Sequence, residues 1–465
     1  MAEDSFRALP SVDRVLGDER LRGAPAALAL DITRETIDAA RALVRAGSPP
    51  PAYDAIVADV RVRIDTALAP PLRPLVNATG VILHTNLGRA PLAEEAIEAM
   101  AAVSRGYSNL EFDLASGRRG SRHGILEPLL CRLTGAEAAM AVNNNGSAVL
   151  LALSALAAGR DVVLSRGELV EIGGGFRIPD VMRLSRARLV EVGTTNRTRI
   201  ADFAAAIGER TAALMRVHAS NFRVVGFTES ASIEDLGALA RERGVVLIDD
   251  IGSGCLLDTT RWGLAREPTP RQSLAAGAGV VLFSGDKLLG GPQGGLIVGR
   301  RPLVDRMRRH PLARAVRLDK ASIAGLAATL QLYLSGAAEE RVPVWRMIAM
   351  PREAVAARAQ AMATAIGERA SVIDGRSMVG GGSLPEESLP TVLVALAPPR
   401  GVGASGLAAR LRARDIIARV EAGRVLLDLR TVDPRDDAPV ARACVFGLSS
   451  ERSEPGANSL SSGRS

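Results

Sequence analysis

A lysine at the end of a strand can do chemistry that an arginine in the same place cannot. Lysine occurs only at Lys287 and Lys320 in the 465 residues, and the other basic side chains are arginines. An amine condenses with a carbonyl and can lose its proton near neutral pH, whereas a guanidinium does neither, so a lysine kept in such a chain is a candidate for imine chemistry. Lys287 follows the apolar run Val280-Val281-Leu282-Phe283 in the turn Ser284-Gly285-Asp286-Lys287, and Gly290-Gly291-Pro292-Gln293-Gly294-Gly295 comes soon after it. A strand end would set it at the carboxyl edge of an α/β sheet, where such folds bind ligands. The glycines would let the backbone approach that ligand closely, and the Ser284 hydroxyl could donate to a phosphate. The plainer alternative is a solvated loop lysine beside a glycine-rich turn, and the scarcity of lysine weighs against it.

Two further segments have matching chemistry. Val246-Leu247-Ile248-Asp249-Asp250 is an apolar run ending in carboxylates, followed by Ile251-Gly252-Ser253-Gly254. Neighbouring strand residues face opposite ways, so only one aspartate can enter a given site. Asp250 stands nearer the glycines, although the residues alone separate it from Asp249 by little, and capping of a following helix is the ordinary role of such a carboxylate. Met140-Ala141-Val142-Asn143-Asn144-Asn145-Gly146-Ser147 reads as a strand, a polar turn and a helix start, whose amides could bind a phosphate around Asn145, Gly146 and Ser147. Taken alone it is also an ordinary turn. A phosphate turn, then a strand-end acid, then a lysine is the chain order of pyridoxal 5'-phosphate (PLP) enzymes of the aspartate-aminotransferase type. There the acid meets the pyridine nitrogen and the lysine forms the Schiff base.

The elements that must hold these residues follow the same pattern. Candidate strands at Ala138-Val142, Asp161-Leu164, Arg188-Val192, Ala212-Val217, Val245-Ile248 and Gly279-Phe283 alternate with helical stretches such as Ser147-Ala158 and Ser232-Arg243. That alternation predicts an α/β fold, a mostly parallel sheet with helices on both faces. Residues 1–74 predict a small helical N-terminal domain, with helices over Thr33-Ala46 and Tyr53-Leu68. Its arginines and carboxylates nearly balance. Residues 75–335 form the expected large domain. Residues 336–446 predict a small α+β domain, with strands at Thr391-Ala395 and Arg424-Leu429 around a helix near Ser405-Arg414. Residues 447–465, rich in Ser, Gly, Glu and Arg, predict a disordered tail.

Composition narrows the classes. Three separated cysteines and four histidines leave no disulfide framework and no zinc signature, so no metal is expected. The absence of a long apolar run argues against a membrane span, and the acidic start argues for a cytoplasmic protein. A net charge of +7 suits a polyanionic partner such as RNA without requiring one. Arg308-Arg309-His310-Pro311-Leu312-Ala313-Arg314-Ala315-Val316-Arg317 is a basic segment of a kind that usually faces solvent. Its guanidinium forks also suit an oxyanion, as does Arg89.

From about Leu9 to Leu429 the chain resembles the bacterial L-seryl-tRNA(Sec) selenium transferases, or selenocysteine synthases. The resemblance rests on Leu9-Pro10-Ser11-Val12-Asp13-Arg14, Asn77-Ala78-Thr79-Gly80, His84-Thr85-Asn86-Leu87-Gly88-Arg89 and Tyr107-Ser108-Asn109-Leu110-Glu111-Phe112. It continues through Gly117-Arg118-Arg119-Gly120-Ser121-Arg122, Gly173 to Pro179, Glu191 to Thr198, Asp250 to Gly254, Ser284 to Gly295 and His310-Pro311-Leu312. It implies a PLP enzyme of fold type I. PLP on Lys287 would take serine esterified to tRNA(Sec), eliminate its hydroxyl to a PLP-bound aminoacrylyl group, and add selenium from selenophosphate. Asp286 would help water leave, while Arg89, Arg314 and Arg317 would hold selenophosphate. The resemblance also assigns tRNA binding to the N-terminal domain and a homodecameric ring to the assembly. A PLP-dependent lyase of the same fold, acting on a small amino acid or amino sugar, is the competing reading, and the N-terminal domain argues against it.

Overall fold

A computed structural model describes residues 6–172, 175–219 and 222–449. The chain divides into two units, residues 1–74 and 75–465. In the first, helices Val12–Leu16, Ala26–Arg45 and Tyr53–Leu68 close on a core of Val15, Ile37, Val57, Val60 and Ile64. The second helix begins at Ala26, earlier than expected, because Pro25 is its N-cap and Ala29 and Ile32 already belong to its buried face.

The second unit is built on two sheets. The larger has seven strands in the order Ala138–Val142, Gly295–Gly299, Val280–Ser284, Val246–Gly252, Thr211–Val217, Asp161–Ser165 and Arg188–Val192. All run parallel except Gly295–Gly299, which is antiparallel to both neighbours. The strands Ala138–Val142, Gly295–Gly299 and Val280–Ser284 are buried along their whole length, as a sheet covered on both faces requires. The second sheet is mixed: Val76–Ala78, Ile416–Glu421, Arg424–Asp428, Ser388–Leu396, Ala370–Gly380 and Val81–Leu83. Its two outer strands therefore come from the start of the unit, although the other four lie beyond residue 369. Pro343 opens helix Pro343–Ala349 and Pro351 caps Arg352–Ile366, so both prolines start helices where a missing N–H is tolerated.

The last helix, Asp437–Leu448, runs two residues into the stretch expected as tail, because Val440, Cys444 and Leu448 are buried on one face. Residues 450–465 of that expected tail lie outside the described residues, as do Gly173 and Gly174. Among the described residues no helix is long and apolar enough to cross a membrane, and no cluster of ligating side chains could hold a metal.

Candidate active site

The register of the large sheet assembles the site. Val142, Gly295 and Ser284 are paired side by side at the carboxyl edges of the strands leading to the asparagine turn and to the lysine. A Cβ on Gly295 would come within 2.1 Å of the Asn144 carbonyl, so only glycine lets the turn sit this close. Asn144 caps helix Asn145–Ala157, its side chain accepting from the Ser147 amide at 2.8 Å. The Ser147 amide is thus already used, whereas its hydroxyl and the Gly146 amide remain at the helix start.

Asp250 pairs with Leu282 on one side and Val217 on the other, just inside the same edge. The two aspartates are separated by their faces. Asp249 takes a two-pronged ion pair from Arg216, at 2.7 and 2.8 Å. Asp250 accepts from the Asn145 side-chain amide at 2.8 Å. Asn145, expected at a phosphate, therefore spends its amide on the strand-end acid, and its Oδ1 remains buried without a partner. Burial pushes the Asp250 carboxyl up to about 6, against the pull of Asn145 and the Lys287 charge.

Lys287 is 7% exposed. Burial pushes its amine below the ordinary lysine range, and the Asp250 and Asp286 carboxylates oppose that fall. The result is a nucleophilic amine beside an acid that it also attracts. Asp286 is joined to Arg89 at 2.6 Å. Arg89 adopts a left-handed backbone, φ 66°, in a loop closed by its own amide donating to the His84 carbonyl at 3.0 Å. Such a conformation is costly for a residue with a Cβ and persists only where the surroundings impose it. Those surroundings begin at Gly80, whose φ is +74° and where a Cβ would meet Asp428 Oδ2 at 2.2 Å. The Gly80 amide donates to Thr431 Oγ1 at 3.1 Å, and the Asn77 side-chain amide donates to the Val81 carbonyl at 2.9 Å. The Asn77–Gly80 segment thus serves to launch the strand that delivers Arg89.

Arg314 and Arg317 lie on the segment that borders the asparagine turn. The Val316 carbonyl accepts from the Asn143 amide at 2.9 Å and Arg317 bridges Val142, so the segment runs along the asparagine turn. Both guanidiniums are exposed and have no hydrogen-bonded partner among the described residues.

Three further residues lie near the lysine, of which only Ser253 falls in a segment that the sequence marked. Gly382, φ +85°, packs so closely that a Cβ would stand 2.7 Å from Lys287 Nζ. Ser253, whose carbonyl accepts from the Leu288 amide, has a buried hydroxyl without a partner. His218 directly follows the strand neighbouring Asp250 and donates its amide to the Asp250 carbonyl at 2.9 Å. Of the other two, only His218, a rare histidine after an apolar run, offered a signal.

This arrangement fits PLP. A buried amine of lowered pKa, a buried acid held by Asn145, a helix start and unpartnered polar atoms at Asn145 and Ser253 together suit a polar aromatic aldehyde with a phosphate.

Comparison with known proteins gives the same answer. The chain is 48% identical to the L-seryl-tRNA(Sec) selenium transferase of Nitratidesulfovibrio vulgaris, covering 94% of this chain and 98% of that protein. It is 47% identical to that of Geobacter sulfurreducens, covering 96% and 99%. For Rhizobium meliloti the identity is 46%, covering 91% and 94%. Among solved structures, D-glucosaminate-6-phosphate ammonia-lyase matches with a TM-score of 0.58 and 24% identity, over 83% of this chain and 98% of that one. That likeness concerns the fold, and the expected aspartate-aminotransferase-like α/β architecture is borne out. Residues 75–433 match the family described as SelA, L-seryl-tRNA selenium transferase, and the chain belongs to that family.

Proposed function

We propose that the protein converts seryl-tRNA(Sec) to selenocysteinyl-tRNA(Sec), with selenophosphate as the selenium donor. The observation that carries this is a buried lysine, its amine pushed below the ordinary range by burial and acted on by the Asp250 charge, in a chain similar to selenium transferases over nearly its whole length. PLP, when bound, supplies an electron sink that lets the serine Cα lose its proton and the β-hydroxyl depart.

The chain's own residues do the rest. Lys287 holds the cofactor and, once free, moves the proton at Cα. Asp250, steadied by Asn145, faces the pyridine nitrogen. The Gly146 amide and the hydroxyls of Ser147 and Ser284 take the phosphate. Asp286, tethered by Arg89, attends the leaving hydroxyl. Serine reaches this enzyme as an ester, so no carboxylate clamp is needed and arginines are free for another oxyanion. Arg314 and Arg317, exposed and without a hydrogen-bonded partner among the described residues beside the asparagine turn, suit selenophosphate, and Arg89 is assigned to it with them after the family pattern. Residues 1–74 are assigned to the tRNA, the assembly to a homodecamer and the compartment to the cytoplasm, after the family pattern. Large apolar side chains left in solvent at Tyr107, Leu114, Val225 and Phe227 support self-association.

Arg314→Ala and Arg317→Ala test the donor site. Each is expected to lower selenium incorporation about 10- to 100-fold, as loss of a charge-assisted contact does. Loss of the serine hydroxyl, followed without selenophosphate, should stay within about twofold of the parent by the same reasoning. Equal loss in both measurements would contradict the assignment.

A further inference from the structure

A cavity of about 460 Å³ opens beside the lysine and is not used by any residue assigned so far. Its volume lies in the roughly 300–1,000 Å³ range of small-ligand sites. Three elements bring it next to the chemistry. His218 lines it and is bonded through its backbone to Asp250. Leu384 lines it two residues after Gly382, which abuts Lys287 Nζ. Glu267 lines it as well, and its charge acts on the Lys287 amine.

Glu267 is the anomaly. It is 3% exposed, yet among the described residues its Oε1 has no hydrogen-bond partner. His218 Nε2 stands 3.4 Å away, within ion-pair reach but without hydrogen-bond geometry, and has no hydrogen-bond partner among the described residues. A buried carboxylate oxygen and a ring nitrogen left idle together at a cavity wall imply a missing ligand group that donates to one and engages the other. A hydroxyl does both. The rest of the wall narrows the ligand. Half-buried Phe222 offers an aromatic face. Arg197, Arg223 and Arg266 are exposed along the lining, and their guanidinium groups have no hydrogen-bonded or ion-pair partner among the described residues. A hydroxyl, a planar base and an approaching phosphate belong together in a nucleotide.

We propose that this cavity receives the 3'-terminal nucleoside of the acylated RNA, with Glu267 and His218 reading its ribose 2'-hydroxyl and Arg197, Arg223 and Arg266 taking the adjoining phosphates. This rests on the reading of a seryl ester as substrate. Esterification at the 3' oxygen leaves the neighbouring 2'-hydroxyl free, and its recognition sets the ester, and with it the serine Cα, at the lysine. Glu267 and His218 are positioning residues in this scheme, since they touch the ribose and not the reacting carbons. The 2'-hydroxyl is also the group by which a protein tells RNA from DNA.

The test uses holoenzyme and two probes: the trinucleotide CCA, and the same trinucleotide ending in 2'-deoxyadenosine. Calorimetric titration of the unaltered protein should show the ribo form bound about tenfold more tightly, the worth of one hydrogen bond to a charged group. In Glu267→Ala the two should bind about equally, to within roughly twofold, by the same reasoning. Arg223→Ala and Arg266→Ala should weaken both probes alike and flatten the salt dependence. Equal binding of the two probes by the unaltered protein overturns the proposal, and that comparison stands even if Glu267→Ala fails to fold. Mass analysis of the product from seryl-tRNA(Sec) separates the two readings. Product without ribose selectivity sinks the cavity assignment alone, whereas selectivity without product sinks the reaction.

Discussion

Lys287→Ala is expected to abolish covalent cofactor attachment and to lower turnover by at least about 10⁴-fold, while the fold survives. In the proposed scheme this amine joins the cofactor, and its burial lowers its pKa from the ordinary lysine range. Borohydride reduction followed by intact-mass measurement reads this directly: the parent gains the mass of the reduced cofactor and the variant does not. Lys287→Arg should fail almost as badly although charge is conserved, because guanidinium forms no imine. Attachment that persisted in Lys287→Ala would move the site to Lys320. That residue is a poor candidate, because its Nζ donates to the Gly106 carbonyl at 2.8 Å, at the start of helix Lys320–Leu334.

Asp250→Asn should lose about 10²- to 10³-fold in turnover and yet gain stability in protein stripped of the cofactor. The sign follows from the raised carboxyl. Folding lifts it from 3.8 to about 6, so between those values the folded chain holds a proton that the unfolded chain has lost. Stability therefore falls as pH rises through that window and stays lower above it. Two pH units correspond to about 3 kcal/mol. At pH 8 the asparagine variant should be more stable than the parent by up to about that amount, and near pH 3 the two should agree to within roughly 1 kcal/mol. Asparagine can still accept the Asn145 amide, so no hydrogen bond is lost with the charge. Denaturant unfolding at the two pH values checks this. A variant less stable than the parent at pH 8 would mean that the carboxylate is not the strained group.

Much of this was legible in the sequence where local signals were strong. The strands expected at Ala138–Val142 and Arg188–Val192 match the observed ones at both ends: the first is a continuous, fully buried apolar run, and the second is an edge strand in which charged Arg188 and Glu191 flank half-buried Leu189 and Val190. Lys287 stood out by rarity, and strand-end acids and turns are local features. What escaped was set by pairing at long range. Val76–Ala78 and Val81–Leu83 are three residues each and exist only because distant partners hold them. Gly295–Gly299 hid behind a glycine-rich turn and runs opposite to its neighbours. Asn145 reads as part of a phosphate turn, and only the sheet order reveals that its amide reaches Asp250. Gly382 and Glu267 lie in loops whose neighbours come from other parts of the chain, so nothing adjacent in sequence announces them. The choice between Asp249 and Asp250 belonged to the same class, and the Arg216 ion pair separates them.

Purified holoenzyme is incubated with seryl-tRNA(Sec) and selenophosphate, the acyl group is released, and its mass is taken. The expected result is selenocysteine in place of serine, dependent on both Lys287 and the selenium donor. Serine recovered unchanged by an enzyme that carries its cofactor on Lys287 would contradict the assignment of this site to selenium transfer.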